Sequence, residues 1–386
     1  MKSHSTSPCL LVVVVFLQLL PGTLAAKEPQ SGWNWEIKQD KDDLQFVTTH
    51  DGQSRFSFQL GAGGAISGIT NDPHRKPLLS PSFQGEQTDR IIQWTIWSDT
   101  VINEVPKLPK FEWRFNVTQG GCFDGTLSPV MDVIVDRQKN IVDVYAVPQE
   151  QWKTEQREAM QCKLSALTRY ELSPNGVLKI RRLIRVGNSI LNGQPAKFDQ
   201  LYVEGWTPFL RSADGFDSVA TMIERDGRPS QTYQAGPGFP NYPGFKVQTT
   251  GGYAVVYNQY SPKEKVAIGV VFGKKQVESK KGGVHQLNLM QWDNGIGVLP
   301  AITLHGVEPG SMIEQRLCLV ARSGLGEEMQ DTISRLAEEI PAPRVIGPSE
   351  ADTDELKVIA GRLADNAAKA GKRTVHLFPL VQEINQ

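Results

Sequence analysis

The sequence predicts an all-β chain of antiparallel sheets, a sandwich or a barrel, finished by one or two helices. Three observations carry this. Apolar and polar residues alternate with period two over many short runs. Gly, Pro, Asn and Asp fill the connectors between the runs. Little helical period separates one run from the next, so the long crossovers of parallel sheets are missing. The 386 residues, 39% of them hydrophobic, suffice for a sizeable core. A formal net charge of -1 argues against a nucleic-acid binder, which usually shows a strongly basic face.

The chain opens on Lys2 and the apolar run Leu10 to Leu20 (LLVVVVFLQLL), too short to span a bilayer comfortably. Pro21 and Gly22 break the run, and small residues follow to Ala25 and Ala26. This pattern reads as a cleaved secretory signal over residues 1–26. The expected location is secreted or periplasmic, with no membrane span in the mature chain. A sheet domain is expected over 27–322 and a helical segment over 323–386. An exported chain can carry a disulfide among Cys122, Cys162 and Cys318. Cys122 and Cys162 are the favoured pair, because Cys318 lies inside the apolar run LCLVA; three free thiols are the alternative. The cysteine spacings fit neither zinc nor a redox CxxC motif, the histidines lack metal-ligand spacing, and no metal or other cofactor is expected.

Strands are expected at Arg55 to Leu60, Met131 to Asp136, Val142 to Val147, Val177 to Val186, Gly252 to Tyr257, Val266 to Phe272, His285 to Trp292 and Met312 to Val320. The stretch Gln59 to Thr70 (QLGAGGAISGIT) invites comparison with a phosphate-binding loop. Its sixth motif position is Ile66, not Gly, and Pro73 and Pro77 forbid a following helix. It reads instead as strand, turn, strand, with Ala65 and Ile69 on one face and Ile66 on the other. Helical period appears at Gly326 to Ile340, with Met329, Ile333, Leu336 and Ile340 on one side. It returns at about Thr353 to Ala370, lined by Leu356, Ile359, Leu363 and Ala367, with Asp354 or Thr353 as cap. Both helices are expected to pack on the sheets.

A family resemblance rests on both ends of the sheet region. A strand, a Gly-rich turn, a strand through Ile66 and Ile69, and a loop ending in Leu78-Leu79 resemble the start of galactose mutarotase-like domains. Ile302 to Val320 (ITLHGVEPGSMIEQRLCLV) resembles their closing element. The resemblance implies an antiparallel β-supersandwich and a carbohydrate partner. It also implies a substrate-facing loop at Gly85 to Trp94, which contains Arg90. True epimerases of this kind place a catalytic glutamate about twenty residues before the closing Pro-Gly turn. Here that stretch is NLMQWD, in which Asp293 is the nearest carboxylate.

Candidate site residues follow from chemistry. Trp94, Trp97, Trp206 and Trp292 can stack on sugar rings or pack in a core. Arg90 and Arg114 can grip a carboxylate or form structural ion pairs. Asn116 and Gln119, in a polar loop, and Gln291 can hydrogen-bond a glycan. Glu204, beside aromatics, can act as an acid or base if burial raises its pKa. Tyr242, in the proline-rich loop AGPGFPNYPGF, and His285 are further acid–base candidates. His305 and His74 rank below His285.

These residue types fit a secreted carbohydrate-active enzyme, first a polysaccharide lyase acting on a uronic-acid-containing glycan. Elimination needs an arginine or amide for the carboxylate, a base and an acid, and catalytic roles are expected for His285, Tyr242, Arg114 and Glu204. A sugar epimerase-like enzyme and a non-catalytic glycan-binding protein are the alternatives.

Overall fold

The computed structural model describes residues 32–40, 43–74, 76–78, 93–97, 115–116, 129–147, 149–150, 160–161, 164–187, 190–191, 194–195, 198–206, 210–211, 218–221, 231–234, 245–247, 252–257, 265–275, 286–292, 295–350, 353–369 and 382–383. They form sheets of five, eight, three and eleven strands. Pairing is antiparallel, except where Gln382–Glu383 lies parallel to Ile134 and Val135 at one edge.

The eleven-stranded sheet is the spine. Its centre runs Ala267–Val271, Met312–Arg322, Val177–Val186, Leu164–Ser173, Ile141–Ala146. These strands are apolar on both faces because both faces are covered. On the inner face Ile180, Ile184, Tyr170 and Val144 pack with Phe46, Phe58 and Leu60 of the five-stranded sheet in one core. On the outer face sit the helices α1 (Glu327–Glu339) and α2 (Asp354–Lys369). Met329, Ile333 and Leu336 of α1 cover Val255, Val271 and Val320. Leu356, Ile359 and Leu363 of α2 cover Tyr145, Leu167 and Leu183. Each such buried aliphatic side chain contributes about 1.5–3 kcal/mol. Thr353 is the residue that caps α2: the Leu356 backbone N–H donates to its Oγ1 at 3.2 Å. Ala367 is only half-buried, and Asn366 is buried in its place.

The stretch Gln59 to Thr70 forms a strand, turn and strand: Gln53–Leu60, a 3-10 turn at Ala62–Gly64, then Ile66–Asn71. One expectation is corrected. Ile66 lies on the same face as Ile69, and both are buried in the core. The register shifts between Gln59 and Leu60, so Ile66 pairs with Leu60 while Ile69 pairs with Phe58. A bulge adds one residue, and one residue flips the face. The turn is anchored from the spine. The Tyr170 hydroxyl donates to the Gly64 carbonyl at 2.6 Å. Burial pushes that phenol up to about 12, and it pushes the Arg182 guanidinium beside it down to about 10.

Candidate functional site

The eight-stranded sheet carries most of the residues singled out by sequence. Its strands run Gln149–Glu150, Phe115–Asn116, Gln93–Trp97, Phe198–Trp206, Gly295–Val307, Gln286–Trp292 and Phe245–Val247, with Leu210–Arg211 paired to one side. Residues directly paired across strands share a face, and so do residues two apart along a strand. The register therefore sorts this sheet into two faces.

One row crosses five strands. Asn116 pairs with Thr95, Thr95 with Glu204, Glu204 with Ala301, and Ala301 with Gln286. The rows beside it share its face. Gln93 pairs with Trp206. Trp97 pairs with Tyr202, and Tyr202 with Thr303. Gln200 pairs with His305. Asn288 and Trp292 follow on the same side of their strand. Amides, hydroxyls and aromatics predominate among these positions, and Met290, Leu299 and Lys246 fall on the same side. Glu204 is the one carboxylate that the register puts on it among the described residues. The face turns apolar at its end, where Phe198 pairs with Val307 and Val307 is buried.

On the opposite side the register places Ile96, Val203, Ile302, Leu304, Leu287 and Leu289, together with Phe115, Glu150 and Asp199.

Of the residues proposed from sequence, the register puts Trp97, Asn116, Glu204, Trp206 and Trp292 on the same side of the sheet. Trp94 and Gln291 fall on the opposite side, each one position out of phase with the row. Arg90, Arg114, Gln119, Tyr242 and His285 lie outside the described residues, as do Cys122 and Cys162. Sequence reasoning passed over Thr95, Tyr202, Thr303 and Gln286. Their signal was present in QWTIW and LYVEGW, where polar and apolar positions alternate.

Elsewhere the described side chains are committed to structure. Between α1 and α2 the outer face of the spine is charged, and Asp143, Arg169, Arg181 and Arg316 pair across four strands. Arg169 donates to Asp143 at 2.7 and 2.8 Å and to Glu355 at 2.6 Å. Glu314 accepts from Arg181 and Arg344, each at 2.6 Å. Burial raises the Glu314 carboxyl, but Arg344, Arg181 and Arg316 outweigh it and hold the group at about 2. The groove beside this lattice, about 310 Å³, has Cys318 among its lining residues. Burial pushes that thiol up to about 12, so it is no nucleophile at neutral pH. Among the described residues no His, Cys, Asp and Glu gather into a metal site.

No family model matches the chain, and no curated protein matches it. Among solved structures it is similar to a galactose 1-epimerase from Lactobacillus acidophilus, at 12% identity and a TM-score of 0.36, covering 76% of this chain and 99% of that one. It is similar to a galactose mutarotase-like protein from Clostridium acetobutylicum at 9% identity and the same TM-score of 0.36, with 76% and 99% covered. A 4-alpha-glucanotransferase from Thermococcus litoralis matches at 10% identity and a TM-score of 0.36, over 75% of this chain and only 40% of that one. The first two are of the kind that the sequence resembles. Matches at this overlap carry no argument about chemistry, which rests on the residues.

Proposed function

We propose that the chain is an exported carbohydrate-active protein that receives a glycan on the polar face of the eight-stranded sheet. The carrying observation is the row Asn116–Thr95–Glu204–Ala301–Gln286, flanked by Trp97 and Trp206. Amides and hydroxyls in fixed rows read sugar hydroxyls, and indole faces stack on the C–H faces of the rings. The leader at Leu10 to Leu20 supports action outside the cytoplasm.

The reaction we assign is β-elimination on a uronic-acid-containing glycan. It needs donors that hold the uronate carboxylate and a group that moves one proton. Asn116, Gln286 and a protonated Glu204 supply donors, and Arg114 stands two residues before Asn116 in the sequence. In this reading Glu204 serves as a donor only as the neutral acid.

The test is a panel of uronic and neutral polysaccharides incubated with the purified chain. Growth of ultraviolet absorbance from a new C=C bond conjugated to a carboxylate supports elimination. Retention of a glycan without product leaves a binding protein. Failure to retain any glycan ends the carbohydrate reading.

A further inference from the structure

We infer that the strand Val130–Asp136 of the spine is a strand-addition surface, and that the chain's own carboxy-terminal segment, through Gln382 and Glu383, occupies it and keeps a second copy from pairing there. The inference holds whatever the eight-stranded sheet binds.

Without Gln382 and Glu383, Val130–Asp136 is the last strand on its side of the eleven-stranded sheet. A last strand presents a row of backbone N–H and C=O groups to which another chain can pair. The composition of this one invites the pairing. It reads VMDVIVD, and Val130, Met131, Val133 and Val135 are buried. Apolar β-branched residues favour added strands. The outer strand of the five-stranded sheet, Trp33–Asp40, is different. Glu36, Lys38 and Asp40 are exposed along it, and such charges deter a second chain.

Both ends of Val130–Asp136 carry protection of their own. At one end the register with Ile141–Ala146 shifts between Val130 and Asp132, a bulge that spoils a regular ladder. At the other end Asp136 accepts from the Lys139 backbone N–H at 3.0 Å and pairs with its Nζ at 3.2 Å. Arg137 Nη1 donates to the Ile37 carbonyl at 3.1 Å, which ties this end to the five-stranded sheet. Val133, Ile134 and Val135 lie between the bulge and the charged turn. The carboxy-terminal segment sits at this middle: Gln382 pairs with Ile134, and Glu383 with Val135.

The direction of pairing marks an added strand. Strands joined by a tight turn pair antiparallel, whereas a parallel partner needs a long connection. Gln382–Glu383 is the parallel strand among the described residues, and it comes after α2 rather than after a neighbouring strand. It joins a finished sheet as a strand from another molecule would. Being tethered, it is present at a high effective concentration and outcompetes a free copy.

The experiment compares the full chain with a chain ending at Val381, by light scattering on a sizing column and by amide hydrogen exchange. The full chain should run as a monomer. The shortened chain should self-associate, increasingly so as its concentration rises. In dilute solution the amides of Val133 to Val135 that point away from Ile141–Ala146 should exchange at least about tenfold faster in the shortened chain. A synthetic peptide of residues 376–386 should restore the monomer. If the shortened chain fails to fold, the double variant Gln382→Pro and Glu383→Pro decides the same point, because it keeps the length and removes both backbone N–H groups. A shortened chain that stays monomeric overturns the inference, and so does unchanged exchange at Val133 to Val135. A full-length dimer that falls apart on shortening overturns it too, because the segment then joins copies instead of keeping them apart.

Discussion

The guanidinium of Arg322 lies 4.3 Å from the centroid of the Trp33 ring. Trp33 opens the first described strand, and Arg322 closes the last long strand of the spine, so one contact joins the two ends of the sheet region. The same cluster takes in Glu328 at the start of α1. Its Oε1 accepts from Trp33 Nε1 and from Arg322 Nε, both at 3.1 Å. Arg322 also donates to the Asn175 carbonyl at 2.8 Å, inside the turn from Ser173 to Gly176.

Arg322→Ala should therefore cost more than a surface charge does. It removes a cation–π contact and the donor to the buried Ala321 carbonyl, 2.9 Å away, together about 2–4 kcal/mol. Denaturant unfolding measures it. A double-mutant cycle with Trp33→Leu should show a coupling of at least about 0.5 kcal/mol. Additivity would mean that the ring and the guanidinium act separately.

Glu314 sets an acid limit on stability. Its ordinary value is 4.5, and in the folded chain burial raises it while three arginines together bring it down to about 2. The unfolded chain thus takes up this proton first as pH falls. The stabilisation is complete above about pH 5 and drains away between about pH 4.5 and 2, up to about 3 kcal/mol in all. Thermal unfolding of Glu314→Gln across that range should show a shallower dependence than wild type. Equal slopes would remove Glu314 from the account.

Gly64 can be nothing but glycine. Its φ is +73°, and an added Cβ would stand 2.3 Å from Val144 Cγ1. Gly64→Ala should lose at least about 2 kcal/mol through backbone strain and overpacking. Gly52→Ala is the comparison, with φ +74° but nothing within 4 Å, and should cost only the conformational part. The difference between their unfolding midpoints checks the contact with Val144.

Cys318 should resist alkylation in the folded state. The thiol is 3% exposed and pushed up to about 12. Iodoacetamide labelling at neutral pH should rise only in denaturant, in step with unfolding. Prompt labelling of Cys318 in buffer would show that the α1 side of the spine opens.

Much of the frame was legible by eye. Val177 to Val186 reads as a strand because β-branched and aliphatic residues fill it, and it is one. Met329, Ile333 and Leu336 recur at helical spacing and are buried together. The phase of a short strand was harder. Trp94 and Trp97 look equivalent in the sequence, and so do Gln291 and Trp292. Which of Trp94 and Trp97 joins Glu204 depends on a strand more than a hundred residues away, and the phase of Gln291 and Trp292 depends on a chain of strand pairings.

Sequence alone determined what is set by neighbours along the chain: the β class, the two closing helices and the glycine turn. Periodicity, turn chemistry and capping act within a few residues, so they can be read there. Tertiary structure alone decided that Ile66 joins Ile69 in the core, that Arg181 and Arg316 face each other, and that Glu204 stands in line with Asn116 and Gln286. Register is a property of two strands, fixed by long-range packing, and a single bulge or a one-residue slip moves every side chain to the other face.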